Sequence, residues 1–163
     1  MKNVRASYLR TFVFGVEDSL ASTVGLLSGV AAANMSREGI FLTGVVLIFV
    51  EAVSMAAGSF LSEESSENYL TKKDAVRRVP VIESAIMFFS YVFSGIIPLS
   101  PYFILEGDEA FKVSIYLSLV SLFLLGLLSG YLSKTSFIKS GYRMLLVGGL
   151  AIAVGVIVGG AFN

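Results

Sequence analysis

Residues 40–61 read IFLTGVVLIFVEAVSMAAGSFL, an unbroken apolar stretch whose one charge is Glu51. A helix rises about 1.5 Å per residue, so about 20 residues cross the roughly 30 Å hydrocarbon core of a bilayer. Backbone polar groups have no water to bond there, so the stretch must satisfy them internally as a helix. The period-2 alternation that a barrel strand needs is absent. Four further runs of the same kind lie outward from this one, at 12–33, 82–103, 110–132 and 142–162. The fold class expected is therefore an all-α integral membrane protein with five transmembrane helices. Residues 1–163 form a single transmembrane domain, in which 62–80 is a short cytoplasmic connection.

Composition points the same way. Of 163 residues, 55% are hydrophobic and 15% charged, where a soluble domain carries about 25% charged residues. Mean hydropathy is +0.82. The first run follows a basic segment but is too long, and too acidic, for a cleavable signal peptide. There is no Cys and no His, which removes disulfides, thiol or imidazole catalysis and the usual zinc ligands. Twelve basic residues balance twelve acidic ones, so no polybasic footprint for nucleic acid exists. Nothing suggests an enzyme. Nucleophile motifs are missing, and an acid-only intramembrane protease would need two Asp where Asp18 stands alone in the apolar runs. No tightly bound cofactor is expected.

The basic residues set the orientation. With the N-terminus in the cytoplasm, Lys2, Arg5, Arg10, Lys72, Lys73, Arg77, Arg78, Lys134, Lys139 and Arg143 all fall inside, and only Arg37 and Lys112 fall outside. Five spans then put the C-terminus on the opposite side. Small residues recur four apart, at Gly25/Gly29, Ser54/Gly58, Gly126/Gly130 and Gly155/Gly159, the spacing that lets membrane helices approach closely.

The informative residues are the intramembrane acids: Glu17 and Asp18 on the first helix, Glu51 on the second and Glu83 near the start of the third. Carboxylates at such depth are costly and mark sites or pathways. At 1.5 Å per residue, Asp18 lies ~12 Å past Arg10, Met55 ~10 Å before Ser62 and Glu51 ~16 Å before it. Antiparallel helices would bring Asp18, Glu51 and Met55 to similar heights. Glu51 and Met55 are i,i+4 neighbours, as are Asp18 and Ser22. Two carboxylates and a thioether at one level suit a divalent transition metal, and the soft sulfur favours Fe²⁺ over Mg²⁺ or Ca²⁺. Taken singly, Met55 reads first as core packing, and each acid has its own plain alternative: Glu51 as a protonated acid bonded to a neighbouring helix, and Glu17 and Glu83 as interfacial groups. It is their coincidence that points to a metal.

These residues also carry a resemblance. Gly15-Val16-Glu17-Asp18-Ser19-Leu20, followed by Thr23-Val24-Gly25-Leu26 and Gly29, is similar to the first helix of the vacuolar iron transporter family, G-x-x-D-G-L and then a T-G-L-type segment. Ser54-Met55-Ala56-Ala57-Gly58 with Ser62 resembles that family's S-M-A-A-G-x-x-x-S motif. The resemblance implies five spans, a homodimer in a lipid bilayer, and export of Fe²⁺ or Mn²⁺ from the cytosol in exchange for protons. It implies Asp18 and Met55 as metal ligands. Ser19 departs from the family's Gly. The family's second-helix Glu commonly lies two turns before the Met, where this chain has Leu47, and Glu51 is the inferred substitute. The family's cytoplasmic Glu-rich domain is missing. Glu63, Glu64 and Glu67 are either a reduced metal-capturing cluster or a solvated helix end.

The expectation is a metal/proton exchanger with ligands Asp18, Glu51 and Met55, a pathway through Glu17, Ser22 and Glu83, and cytoplasmic capture at Glu63, Glu64 and Glu67. The minimal length suggests a prokaryotic cell membrane, and a vacuolar membrane also fits the family. The rival reading is a small accessory or structural subunit whose intramembrane acids pair with a partner.

Overall fold

The computed structural model describes residues 4–71, 78–105 and 107–162. Lys2, Lys72, Lys73 and Arg77, four of the residues that set the expected orientation, lie outside the described residues, as does the centre of the 62–80 connection. Among the described residues there are six helices and no strand: α1 Val4–Ala32, α2 Arg37–Thr71, α3 Arg78–Leu99, α4 Pro101–Ile104, α5 Gly107–Leu132 and α6 Phe137–Gly160. Four of them, α2, α3, α5 and α6, are long and apolar enough to cross a membrane. At 29 residues α1 is long enough, but Glu17, Asp18 and its many Ser, Thr and Gly residues dilute its apolar content, and it is not among the four.

The helix ends follow from local chemistry. At the end of α1, Asn34 takes φ +56°. Met35 N–H reaches back to the Val30 carbonyl at 3.1 Å, the six-to-one bond of a left-handed helix stop. Lys134, φ +54°, ends α5 in the same way, with Thr135 N–H donating to the Gly130 carbonyl at 2.9 Å. The Ser36 hydroxyl accepts from Gly39 N–H at 3.2 Å and so caps α2. Within the expected span 82–103 the chain breaks at Ser100. Pro101 has no N–H to offer the preceding turn, and it opens the short α4 instead. Arg37 closes this corner. Its Nε donates to the Tyr102 carbonyl at 2.8 Å, and its guanidinium also reaches the Phe103 carbonyl. The α2 helix does not stop at Leu61 but runs through the polar segment to Thr71.

Consecutive long helices alternate in direction. One end of the bundle gathers Arg10 of α1, Glu63 of α2 and Glu83 of α3 around one recess, with Ala6 and Leu9 beside Leu132 and Ser133. The other end brings Ala33 and Phe162 together. The helix α1 is central and packs on every other long helix, most extensively on α6 and α3, while α2 leans chiefly on α3. Against α6, α1 presents Gly25 and Gly29. A Cβ added at Gly29 would lie 2.9 Å from the Gly155 carbonyl oxygen, and one at Gly159 would fall on the Gly29 carbonyl. The two backbones touch, so the small-residue spacing serves packing here. The Ser54/Gly58 pair does not: nothing lies within 4 Å of a Cβ built at Gly58.

Large apolar side chains face outward, among them Leu42, Val46, Phe49, Val50 and Val53 on α2 and Leu146, Leu150, Val154 and Ile157 on α6. The interior holds Ser19, Thr23, Ser28, Ser90, Ser94, Ser114 and Ser118, all buried. This distribution suits lipid outside and close helix contact inside. Several of these hydroxyls bond carbonyls, as Ser114 Oγ does to Pro98 across α5 and α3 at 2.6 Å.

Candidate metal centre

The residues singled out by the sequence fall on α1, α2 and α3. Asp18 and Glu51, both half-buried, sit close enough across α1 and α2 to repel one another. Glu17 adds its charge beside Asp18. Ser22, one turn beyond Asp18, reaches the Tyr91 hydroxyl of α3 at 2.7 Å. Tyr91 is fully buried and lies within electrostatic reach of both Asp18 and Glu51.

Tyr91 is the functional candidate that the sequence reading missed. The available signal was its hydroxyl, set inside an apolar helix, because a buried Tyr O–H requires a partner. The same residue accounts for the departure at Ser19. Ser19 Oγ donates to the Tyr91 carbonyl at 2.6 Å, and it occupies space left by Gly95, where an added Cβ would stand 2.9 Å from that oxygen. A glycine at Ser19 would forgo this link between α1 and α3.

The remaining candidates separate into two recesses. Glu17 lines one of about 470 Å³ between α1 and α5, with Arg10, Val13, Ser129 and Ser133. Met55 faces another of about 620 Å³ between α1, α2 and α3. Glu63 and Glu83, brought together from α2 and α3, line that second recess too, along with Met87. Glu64 and Glu67, half-buried on the extension of α2, do not line it. Glu83 thus keeps company with Glu63 rather than with Glu17 and Ser22.

Chemically, the single chain offers carboxylates, thioethers and hydroxyls along one side of α1. Carboxylate oxygens suit Mn²⁺ and Fe²⁺, and sulfur adds preference for softer cations. Among the described residues, no three carboxylates of one chain converge closely enough to hold a metal ion. Asp18, Glu51 and Met55 all remain partly exposed at the α1–α2 margin.

Comparison with known proteins bears on what such a bundle does. A family model described as "VIT family" matches residues 9–81 and 66–160. Vacuolar iron transporter homolog 4 of Arabidopsis thaliana is 29% identical over 162 residues, covering 92% of this chain and 81% of its own. Vacuolar iron transporter homolog 1 of Oryza sativa subsp. japonica is 31% identical over 171 residues, covering 92% of this chain and 72% of its own. Vacuolar iron transporter 1 of Tulipa gesneriana is 22% identical over 205 aligned positions, covering 89% of this chain. That alignment is longer than the chain itself, so the tulip protein carries residues with no counterpart here.

Proposed function

The chain belongs to the VIT family, and from that premise we propose that it carries Fe²⁺ or Mn²⁺ out of the cytosol, in exchange for protons, along a pathway between two copies of the chain. At the coarser level it is an integral membrane transporter of metal ions, as its relatives' names and its apolar helices indicate. Iron is the substrate that those names carry.

One observation carries the finer reading. Asp18 of α1 and Glu51 of α2 lie within electrostatic reach of one another, and both stay partly exposed. Leaving two carboxylates on the membrane face of a protomer is costly, and a second copy across the α1–α2 margin relieves the cost. It also doubles the donors. One chain supplies two carboxylates and the Met55 thioether, and two chains supply a six-donor set around a single ion. A pathway so placed needs α1 to span as a fifth helix, despite its diluted apolar content. Arg10 and Arg78, with Lys134, Lys139 and Arg143, gather toward the end where α1 begins, which supports a cytoplasmic N-terminus and a C-terminus opposite.

Proton coupling then follows from the ligands. Metal binds the deprotonated carboxylates, so loading an ion releases protons and returning protons releases the ion. The Tyr91–Ser22 pair offers hydroxyls beside both acids, and we assign it to the proton side of the exchange. The relatives' names place them in vacuolar membranes, and a prokaryotic cell membrane is the other location that the reading admits.

The test is metal uptake into proteoliposomes that hold a metal dye and a pH dye, with Fe²⁺, Mn²⁺ and Mg²⁺ in parallel. Metal should move against an opposing proton flow, and Asp18→Ala and Met55→Ala should abolish both fluxes. A stable, folded protein that moves no metal would instead favour the accessory-subunit reading.

A further inference from the structure

The recess between α1, α2 and α3 holds a second donor set, away from the Asp18–Glu51 level. Glu83 is 1% exposed and Glu63 4% exposed, and both line it. Met87 lies one turn beyond Glu83 on α3 and shares its face, while Met55 approaches from α2. Thr11, Ser59 and Ser62 add hydroxyls. Glu83 Oε1 is buried and has no hydrogen-bond partner. A buried carboxylate oxygen left without a partner is disfavoured, and here it borders a space of about 620 Å³.

The lining decides the ligand. Arg10 also borders the recess, yet Glu83 Oε1 receives no hydrogen bond from it. An organic cation would use the carboxylates but not the sulfurs. Mg²⁺ and Ca²⁺ favour oxygen alone. Carboxylate and thioether together select a divalent transition-metal ion. We propose that Glu83 and Met87 of α3, with Glu63 and Met55 of α2, form a loading site for such an ion, complete within one protomer. Met55 belongs to both levels. It stands one turn from Glu51 on one side and two turns from Glu63 on the other, so it lines the route that an ion at the mouth would take along α2. Arg10 guards the mouth by competing for the same carboxylates.

This inference rests on the metal-transport reading, and the experiment separates the two. The full chain, purified in detergent, is titrated with Mn²⁺ and the free ion is read by electron paramagnetic resonance. In Asp18→Ala, which removes the deeper site, one Mn²⁺ per protomer should remain bound. Adding Glu83→Gln should weaken that residual binding at least tenfold, and Arg10→Gln should tighten it. Met87→Leu, which conserves volume, should leave Mn²⁺ bound but lower the ability of Fe²⁺ to displace it, and it serves as the readout if Glu83→Gln does not fold. Residual binding unchanged by Glu83→Gln, or no residual binding in Asp18→Ala, overturns the loading site. If the wild type still moves metal in proteoliposomes in either case, the transport reading stands. If Glu83→Gln and Arg10→Gln lower thermal stability alike while binding is unchanged, Glu83 is a structural partner of Arg10 and the proposal fails.

Discussion

The hydroxyls of Ser22 and Tyr91 lie 2.7 Å apart, and together with the 2.6 Å bond from Ser19 Oγ to the Tyr91 carbonyl they pin α1 to α3 beside the Asp18 and Glu51 carboxylates. One residue of α3 therefore fixes both the rotation of α1 and the polar surroundings of the two acids. The carbonyl bond depends on the backbone and survives any change of the Tyr91 side chain. The hydroxyl pair does not.

Tyr91→Phe separates these two roles. It removes one partly buried hydrogen bond, a net loss of about 0.5–1.5 kcal/mol, which a thermal or denaturant melt in detergent should register as a small shift. The fold should persist, because the ring and the Ser19 link remain. Metal-driven proton flow in proteoliposomes should fall by more than metal binding does. Equal losses in both would mean that Tyr91 only positions α1.

The glycines give a contrast between positions that look alike in sequence. A Cβ at Gly155 would fall on the Gly25 carbonyl, backbone against backbone, with no side chain able to yield. Gly155→Ala should therefore destabilise the chain by about 1–3 kcal/mol, the usual penalty of overpacking. Gly58 has open space, so Gly58→Leu should leave the melting of the protomer nearly unchanged. Gly58 lies one turn from Met55, exposed at the rim of the α1–α2–α3 recess, where the partner copy is proposed to approach. Gly58→Leu should accordingly shift the detergent-purified protein from dimer to monomer, measured by light scattering after size exclusion. A dimer that tolerates leucine there would place the interface elsewhere.

Hydropathy made the helices legible, because apolar runs of membrane length admit one backbone solution in lipid. It was weakest where function intrudes. The acids of α1 lower its apolar content just where the pathway is proposed. The polar continuation of α2 to Thr71 carries no apolar period by which its end could be read. The break at Ser100 was signalled by Pro98 and Pro101, but the run of apolar residues through Phe103 concealed it. Within helices the i,i+4 pairs Asp18/Ser22 and Glu51/Met55 could be read directly. Between helices they could not. The meeting of Glu63 with Glu83, and of Ser22 with Tyr91, depends on how α3 is rotated against its neighbours. That rotation is set by packing at Gly15, Gly95 and Ser19, which periodicity alone does not encode.

Asp18 and Glu51 provide the sharpest test, because both are assigned to one ion and lie within electrostatic reach of one another. If both hold one ion, removing either breaks the same site, and their effects will not add. Asp18→Asn and Glu51→Gln should each reduce Fe²⁺ uptake by roughly one to two orders of magnitude, from the loss of a charged ligand worth about 1.5–3 kcal/mol. The double variant should be little worse than the poorer single one. The sign of the pH effect follows from the same ligands. Protons compete with metal for the carboxylates, so apparent metal affinity in the wild type should rise with pH, and each single variant should flatten that rise. Additive losses with an unchanged pH slope would mean that the two acids serve separate steps, and that Glu51 does not stand in for a glutamate at the position of Leu47.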